Sequence, residues 1–363
     1  MIWIRADGNQ KIGLGHIMRC LAIADAVRRR GEEAAFVVAD ECVEGLLTEC
    51  GFPVVVLDSP WNDMTSEVEA MRRLIEIHTI RKLMIDSYAV TPGYLQSLCE
   101  LAYIVCLDDL NTFHYPCHML INYNCYYEKF DYPSQYPGVE LLLGCRYAPL
   151  RDEFRGLPRR IPHREVKSVL VTTGGTDPGN IAGKLTKMAK ETRDFRDLEF
   201  KIIAGRFNSH IAELRKMAED YPGVTVRFPD CQIVGSARGS SADNGHMVES
   251  KRADSLVSCQ LSHDVAVSAG GSTLYELCAC GTPTVTFSFT DNQVEGVAYF
   301  GGGYMINAGD TRDNETLCLT RMLDGIKRFV SDYELRLELS EKTQGLVDGQ
   351  GADRIAEKLL TSL

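Results

Sequence analysis

Along the chain, short apolar runs alternate with longer stretches of helical spacing, and the series runs through twice. Residues 2–5 read as a strand, followed by a glycine-containing loop and a helix near 16–30. Further short apolar runs lie at 34–38, 54–57, 83–86 and 104–107, separated by segments of helical spacing such as 66–78. Runs of this kind are strands covered on both faces, and their alternation with helices predicts a parallel sheet. Residues 141–143 close the first half.

Between 145 and 163 the pattern breaks. Arg151, Arg155, Arg159 and Arg160 stand among Pro149, Pro158 and Pro162, a composition suited to a domain connection. A second series follows, with strands expected at 169–172, 200–204, 224–228, 265–268 and 284–287 and helices at 180–190 and 210–219. Three helical stretches close the chain, near 315–330, 332–343 and 352–360. The organisation predicted is α/β: two Rossmann-like doubly wound domains, 1–148 and 166–363, joined by a linker at 149–165. A cleft between them would be lined by loops at the strand C-termini, where such sheets bind ligands. The Gly- and Ser-rich stretch at 231–263 is far longer than most loops of this type and reads as a surface insertion of the second domain.

At 363 residues the chain exceeds what one core usually serves, which agrees with two domains. A formal net charge of -11 argues against a surface that tracks phosphates, so no nucleic-acid partner is expected. Backbone N–H groups can still hold a phosphate locally. Thirteen cysteines are an odd number without a CxxC pair, and Met1-Ile2-Trp3-Ile4-Arg5 leads straight into a strand. Reduced thiols in a cytoplasmic protein are expected rather than a disulfide framework. No apolar stretch approaches the roughly 18 residues of a membrane span, so no membrane contact is expected. The chain is expected to be a soluble monomer.

Three glycine-bearing loops follow strands. Gly13-Leu14-Gly15-His16-Ile17-Met18-Arg19 joins the first strand to the first helix, where glycines admit a ligand to the backbone and the helix start presents unpaired N–H groups. It does not match GxGxxG, which lowers the case for a nicotinamide cofactor. A lone histidine is open to a structural or a functional reading, and the position of His16 at a strand edge favours a general base. Arg19, one turn on, could reach a carboxylate or phosphate. The second loop is Thr172-Thr173-Gly174-Gly175-Thr176-Asp177-Pro178, suited to a phosphate or ribose but equally to a tight turn. The third, Ser268-Ala269-Gly270-Gly271-Ser272-Thr273-Leu274-Tyr275-Glu276, joins a glycine turn to two hydroxyls at a helix start. Its N–H groups with Ser272 and Thr273 would hold a diphosphate, and Glu276 would accept from ribose hydroxyls or simply be solvated.

Asn292 and Gln293, after the next strand, supply amides for sugar hydroxyls. Asp86-Ser87-Tyr88 could line the cleft opposite, and Asp108-Asp109 ends the next strand, though each also suits a cap or turn. His114, Cys117 and His118 resemble metal ligands in type, but Pro116 spoils a shared helical face and no fourth ligand is evident. No metal and no cofactor are expected.

Taken in order, Gly13-Leu14-Gly15-His16-Ile17-Met18-Arg19-Cys20, Asp86-Ser87-Tyr88, Gly174-Gly175-Thr176-Asp177, Ser268-Ala269-Gly270-Gly271-Ser272-Thr273 and Asp291-Asn292-Gln293 resemble the UDP-2,4-diacetamido-2,4,6-trideoxy-β-L-altropyranose hydrolases of pseudaminic acid biosynthesis. The resemblance spans nearly the whole chain; its second-domain segment is shared with many GT-B glycosyltransferases, and GxGHxMR is more discriminating. It implies a GT-B fold, with the nucleotide held mainly by the C-terminal domain. It implies a UDP-sugar substrate and attack of water at the anomeric carbon, releasing UDP and free sugar with inversion and without a metal. His16 matches the family's catalytic histidine. The expected substrate contacts are Gly13, Gly15, Arg19, Asp86, Tyr88, Gly174, Gly175, Gly270, Gly271, Ser272, Thr273, Glu276, Asn292 and Gln293. The stretch at 231–263 departs from the family, which has a short helix there. A GT-B glycosyltransferase with a UDP-HexNAc donor, a non-catalytic UDP-sugar sensor and a hydrolysing epimerase are the rival readings.

Overall fold

The computed structural model describes residues 1–9, 11–205, 207–228 and 255–362, with the backbone alone at 233–234. The chain divides into two units, Met1–Gly156 with Gly349–Leu363, and Leu157–Asp348.

The first unit begins with β1 (Ile2–Ala6), α1 (Gly15–Arg29), β2 (Ala34–Val38), α2 (Glu44–Glu49), β3 (Val54–Val56) and α3 (Val68–Ile77). It continues with β4 (Lys82–Asp86), α4 (Pro92–Cys99), β5 (Tyr103–Leu107), β6 (Met119–Asn122), α5 (Tyr132–Gln135) and β7 (Glu140–Leu143). The seven strands form one sheet in the order β3-β2-β1-β4-β5-β6-β7, parallel at every pairing. All five residues of β1 and β2 are buried, as expected of strands covered on both faces. On one face Trp3, Val37, Leu83, Ile85 and Ile104 form a core with Met71 and Leu74 of α3 and Leu95 and Leu98 of α4. The helix α1 packs against β1 and β2.

The second unit runs β8 (Ser168–Thr172), α6 (Ile181–Glu191), β9 (Glu199–Ile203), α7 (Ile211–Asp220), β10 (Val224–Arg227), β11 (Ile233–Val234) and α8 (Leu256–Ser262). Then come β12 (Val265–Ala269), α9 (Ser272–Cys280), β13 (Thr284–Ser288), α10 (Asp291–Gly301), β14 (Ile306–Asp310), α11 (Glu315–Ser331) and α12 (Tyr333–Leu346). The strand order is β11-β10-β9-β8-β12-β13-β14, and β11 alone runs antiparallel to its neighbour. Val169, Val171, Phe200, Val267 and Val285 share a core with Leu185 of α6 and Met322 and Ile326 of α11.

The last helix, α13 (Gly351–Thr361), returns to the first unit and packs on α1. Arg29 and Arg30 donate to Asp353 (3.0 and 2.9 Å), and Lys82 donates to the Leu359 carbonyl (2.6 Å). A second domain extending to 363 is therefore corrected: Ala352, Ile355, Ala356 and Leu359 give α13 an apolar face, but a periodic face does not say which core it enters. The expected strands and long helices are present within a few residues, while β6, β11, β14, α2, α4, α5, α8 and α10 have no counterpart in the expectations. Of the expected insertion at 231–263, residues 255–263 hold the short helix α8, capped by Ser255, whose hydroxyl accepts from the Ser258 N–H (3.1 Å). The remainder lies outside the described residues, save the backbone of β11. Among the described residues no helix is long and apolar enough to cross a membrane.

In each sheet the strand order reverses at the first strand of the unit, between β1 and β4 and between β8 and β12. The loops leaving these strands diverge to opposite sides, which opens the crevice where doubly wound sheets bind ligands.

Candidate active site

In the first unit, the loop after β1 folds back on itself before α1 begins. The Gly13 N–H donates to the Asn9 carbonyl (2.8 Å), and Asn9 Oδ1 accepts from the N–H groups of Lys11 and Ile12 (2.8 and 3.1 Å). Gly13 has φ of +73°, a conformation that glycine adopts at little cost. The turn delivers α1 with no side chain capping its start and His16 in its first turn.

His16 is only 6% exposed and faces Asp86, the last residue of β4, across the point where the strand order reverses. Its Nδ1 lies 2.6 Å from Asp86 Oδ1 and 3.1 Å from Arg19 Nη2. Both contacts cannot be hydrogen bonds to one nitrogen, because arginine only donates and a carboxylate only accepts. The shorter contact decides: Nδ1–H donates to Asp86, and Nε2 carries the lone pair of the neutral ring.

Arg19 holds Asp86 from the other side, with Nε to Oδ2 at 2.6 Å and Nη2 to Oδ1 at 2.5 Å. Its Nη1 donates to both oxygens of Asp109 (3.1 and 2.8 Å) and to the Tyr123 hydroxyl (3.0 Å). Asp109 also accepts from Asn124 Nδ2 and the Tyr88 hydroxyl, each at 2.9 Å. The Tyr88 ring meets His16 edge-on, with centroids 4.5 Å apart. Burial opposes ionisation of Asp86, but Arg19 and His16 outweigh it and hold the carboxyl well below the usual carboxylate range. Burial pushes the Tyr123 hydroxyl up to about 12, so it stays protonated.

A cavity of about 20 Å³ adjoins His16, bounded by Asp7, Ile12, Trp61, Asp86, Ser87, Tyr88 and Ala89. Behind it lies a second buried charge cluster. Arg5 donates to both oxygens of Glu67 at 2.8 Å and approaches Asp7 to 2.6 Å, and Glu67 also accepts from Tyr94 and Ser59 (2.9 Å each).

In the second unit the helix starts differ. At α6 the N–H groups of Ile181 and Ala182 already donate to Asp177 (2.7 and 3.1 Å), so a carboxylate fills the place an anion would take. The Gly174 and Gly175 loop is braced on one side, where the Phe207 N–H donates to the Gly175 carbonyl (2.9 Å) and a Cβ at Gly205 would stand 2.1 Å from the Gly174 oxygen, while both glycines are exposed and a Cβ on either would meet nothing within 4 Å. At α9 the N-cap is Gly271, with no side-chain cap. The Leu274 N–H bonds to Gly271 O (3.0 Å), leaving the Ser272 and Thr273 amides ahead of the helical ladder. Gly270 is packed, since a Cβ there would meet Val297 and Gln293 at 2.6 and 2.9 Å, whereas one at Gly271 meets nothing within 4 Å.

The structure brings His16, Arg19, Asp86 and Tyr88 together, with Gly13 on the loop before them and Gly15 opening α1. Of the expected substrate contacts, Asp86 is buried and Arg19 partly buried, and both are bonded to protein and lie against His16. Two others also have protein partners. Gln293 Oε1 accepts from the Phe289 N–H (2.9 Å) and pins its loop, and Glu276 Oε2 accepts from Gln260 of α8 (3.0 Å). Asn292 is exposed beside the α10 start, where its Oδ1 takes the Thr290 hydroxyl (2.7 Å). Asp108 caps the turn at Leu110 and Asn111 (2.9 Å each), and His118 Nδ1 accepts from the Ile104 N–H (2.9 Å). Sequence reasoning missed Asp7, Trp61, Tyr123 and Asn124. An acidic residue at the C-terminal end of a strand is the signal that Asp7 shares with Asp86.

No family model matches the chain. It is 22% identical over 360 residues to the spore coat polysaccharide biosynthesis protein SpsG of Bacillus subtilis, covering 98% of this chain and 96% of that one. It is 27% identical over 224 residues to the UDP-2,4-diacetamido-2,4,6-trideoxy-beta-L-altropyranose hydrolase of Campylobacter jejuni, covering 60% of this chain and 74% of that one. Among solved structures, Acinetobacter baumannii MurG matches with a TM-score of 0.66 at 11% identity, over 99% of this chain and 98% of that chain. The S. aureus MnaA-UDP co-structure matches at 0.61 and 10% identity, over 99% and 95%. The fold is that of GT-B proteins: two parallel-sheet α/β units.

Proposed function

We propose that the protein hydrolyses a UDP-linked diacetamido-trideoxy hexose at its anomeric carbon, releasing UDP and the free sugar. The observation that carries this reading is the buried Asp86–His16 pair, whose geometry leaves Nε2 as the basic nitrogen. The 27% identity to a protein named as such a hydrolase supports the choice of substrate class. Water would attack C1 on the face opposite the nucleotide, and the C1–O bond would break with its electron pair going to UDP. The water proton passes to His16 Nε2, and Asp86 balances the imidazolium as it forms. A single displacement inverts the anomeric configuration.

The second unit would hold UDP, with the open start of α9 and the hydroxyls of Ser272 and Thr273 at the diphosphate. These donors would take the charge that develops on the leaving group, so turnover should persist in excess EDTA. Gly174 and Gly175 are assigned a backbone approach to the nucleotide rather than an anion site, because Asp177 occupies the α6 start. Gly13, Gly15 and Tyr88 would face the sugar, with Asn292 reaching its hydroxyls.

A second reading is a GT-B glycosyltransferase in which His16 activates an acceptor hydroxyl, since the fold is shared with structures named as glycosyltransferases, such as SnogD from Streptomyces nogalater. Incubation with a panel of UDP-HexNAc derivatives and no acceptor separates the two. UDP release at a steady rate supports the hydrolase, and release that requires an added acceptor supports the transferase. His16→Asn should lower turnover about 10²- to 10⁴-fold with UDP affinity nearly unchanged. A near wild-type kcat in that variant would remove the general base from the scheme.

A further inference from the structure

A second buried carboxylate borders the His16 cavity and has no task in the scheme above. Asp7 follows β1 directly and is 5% exposed. Its Oδ1 accepts from the Ala39 N–H (2.8 Å), and its Oδ2 lies 2.6 Å from Arg5 Nη1. Arg5 is itself fixed by two bonds to Glu67, so the Asp7 carboxylate is oriented by protein alone. His16 is fixed just as firmly by Asp86. The two meet at a cavity of about 20 Å³ whose other walls include Ile12, Trp61 and Ala89.

Size and polarity select what can sit there. A water needs roughly 10–15 Å³ of such space and at least two polar partners. An acetamido group, with four heavy atoms, needs several times more room. We propose that this cavity seats the attacking water and that Asp7 is its second hydrogen-bond acceptor, beside His16 Nε2. This rests on the hydrolase reading. With one acceptor the water would turn freely; with two, both of its protons are engaged and a lone pair has a fixed direction, the condition for a near-attack geometry. As the C1–O bond to UDP breaks with its electron pair on UDP, the water oxygen bonds C1. One proton goes to His16 Nε2, and the other stays on oxygen as the new sugar hydroxyl, still donating to Asp7.

The charges facing Asp7 are Arg5 on β1, Glu67 before α3, and His16 and Asp86 across the cavity, with Tyr94 of α4 and Cys42 beyond β2 as neutral neighbours. Burial pushes the Asp7 carboxyl above its ordinary value and Arg5 restrains it, so protonation of Asp7 should shape the acid limb of the rate profile.

The test uses the full chain and a UDP-linked diacetamido-trideoxy hexose. Asp7→Asn should lower kcat about 10- to 10³-fold and leave UDP affinity within about threefold, with the acid limb of kcat/KM reshaped rather than lost because His16 still accepts the proton. Asp7→Glu keeps the charge beside Arg5 but pushes a methylene into the cavity, so it should not restore kcat. A kcat within threefold of wild type in Asp7→Asn, with His16→Asn inactive, overturns the proposal and leaves the hydrolase standing. So does rescue by Asp7→Glu, which would mark Asp7 as support for Arg5; that comparison decides even if Asp7→Asn fails to fold. If the wild-type protein releases no UDP, the hydrolase reading falls and the proposal with it.

Discussion

With Nδ1 of His16 committed to Asp86, substitution of that carboxylate should do more than remove a charge. An asparagine at 86 can turn its amide toward Nδ1 and donate, which forces the proton onto Nε2 and leaves that nitrogen without its lone pair. Asp86→Asn is therefore expected to lower kcat by about 10²- to 10⁴-fold with UDP affinity retained, read from initial rates and calorimetric titration. The same residue predicts a pH dependence of stability. Arg19 and His16, against the cost of burial, depress the folded-state pKa of Asp86 below its unfolded value. Its contribution is thus present above the unfolded value and is lost as pH falls through the folded one. Urea denaturation from neutral pH into the strongly acid range should show the gap between wild type and Asp86→Asn narrowing toward acid; a constant gap would contradict the depressed value. Arg19 carries the structural burden of two buried carboxylates. Arg19→Met strands Asp86 and Asp109 and should cost about 3–5 kcal/mol in the same urea experiment.

Among the elements, the α9 start separates a glycine needed for packing from one that is free for a ligand. A Cβ at Gly270 would enter Val297 and Gln293, so Gly270→Ala should lower the melting temperature. Gly271 has extended backbone with φ of 173° and open space at its Cβ. Gly271→Val should leave the melting temperature nearly unchanged and abolish UDP binding, because only a bound diphosphate would meet the new side chain. Normal UDP binding by Gly271→Val, in calorimetric titration, would place the nucleotide elsewhere. The place of these loops was legible because a glycine turn between an apolar run and a helical segment marks the passage from strand to helix. The partners around His16 were only half legible. Asp86 and Asp109 stand at strand ends in the sequence, yet their meeting at Arg19 depends on β4 and β5 following β1 in the sheet, and strand order is not written in local periodicity. The same holds for Arg19: one turn after His16, its reach toward a carboxylate was plain, but not that two carboxylates of the protein would meet it.

On the scale of the whole molecule, two sheets of buried strands were readable from apolar runs alone, because a strand covered on both faces tolerates few polar residues. The return of the chain end to the first unit was not. Its determinants are close approaches between residues about two hundred apart in sequence: a Cβ at Gly349, which has φ of +73°, would stand 2.0 Å from the Phe154 carbonyl, and one at Gly351 would stand 2.1 Å from that of Ala148. Neither contact leaves a periodic trace. The arrangement couples the end of the chain to the helix that carries His16, since α13 packs on α1 and Asp353 ties down Arg29 and Arg30. Removal of residues 349–363 should therefore loosen α1 and with it His16, while the α9 start belongs to the other unit and keeps its own core. The expected outcome is loss of hydrolysis with UDP affinity kept within about threefold, measured by UDP release and calorimetry on the truncated chain. Gly351→Ala is the milder form of the same test, because one methyl group at the crossing forces α13 away from Ala148 without exposing an apolar face. It should lower kcat more than it changes UDP affinity. Equal losses in both would mean that α13 supports the second unit as well, and unchanged kcat would mean that α1 holds His16 without help from the chain end.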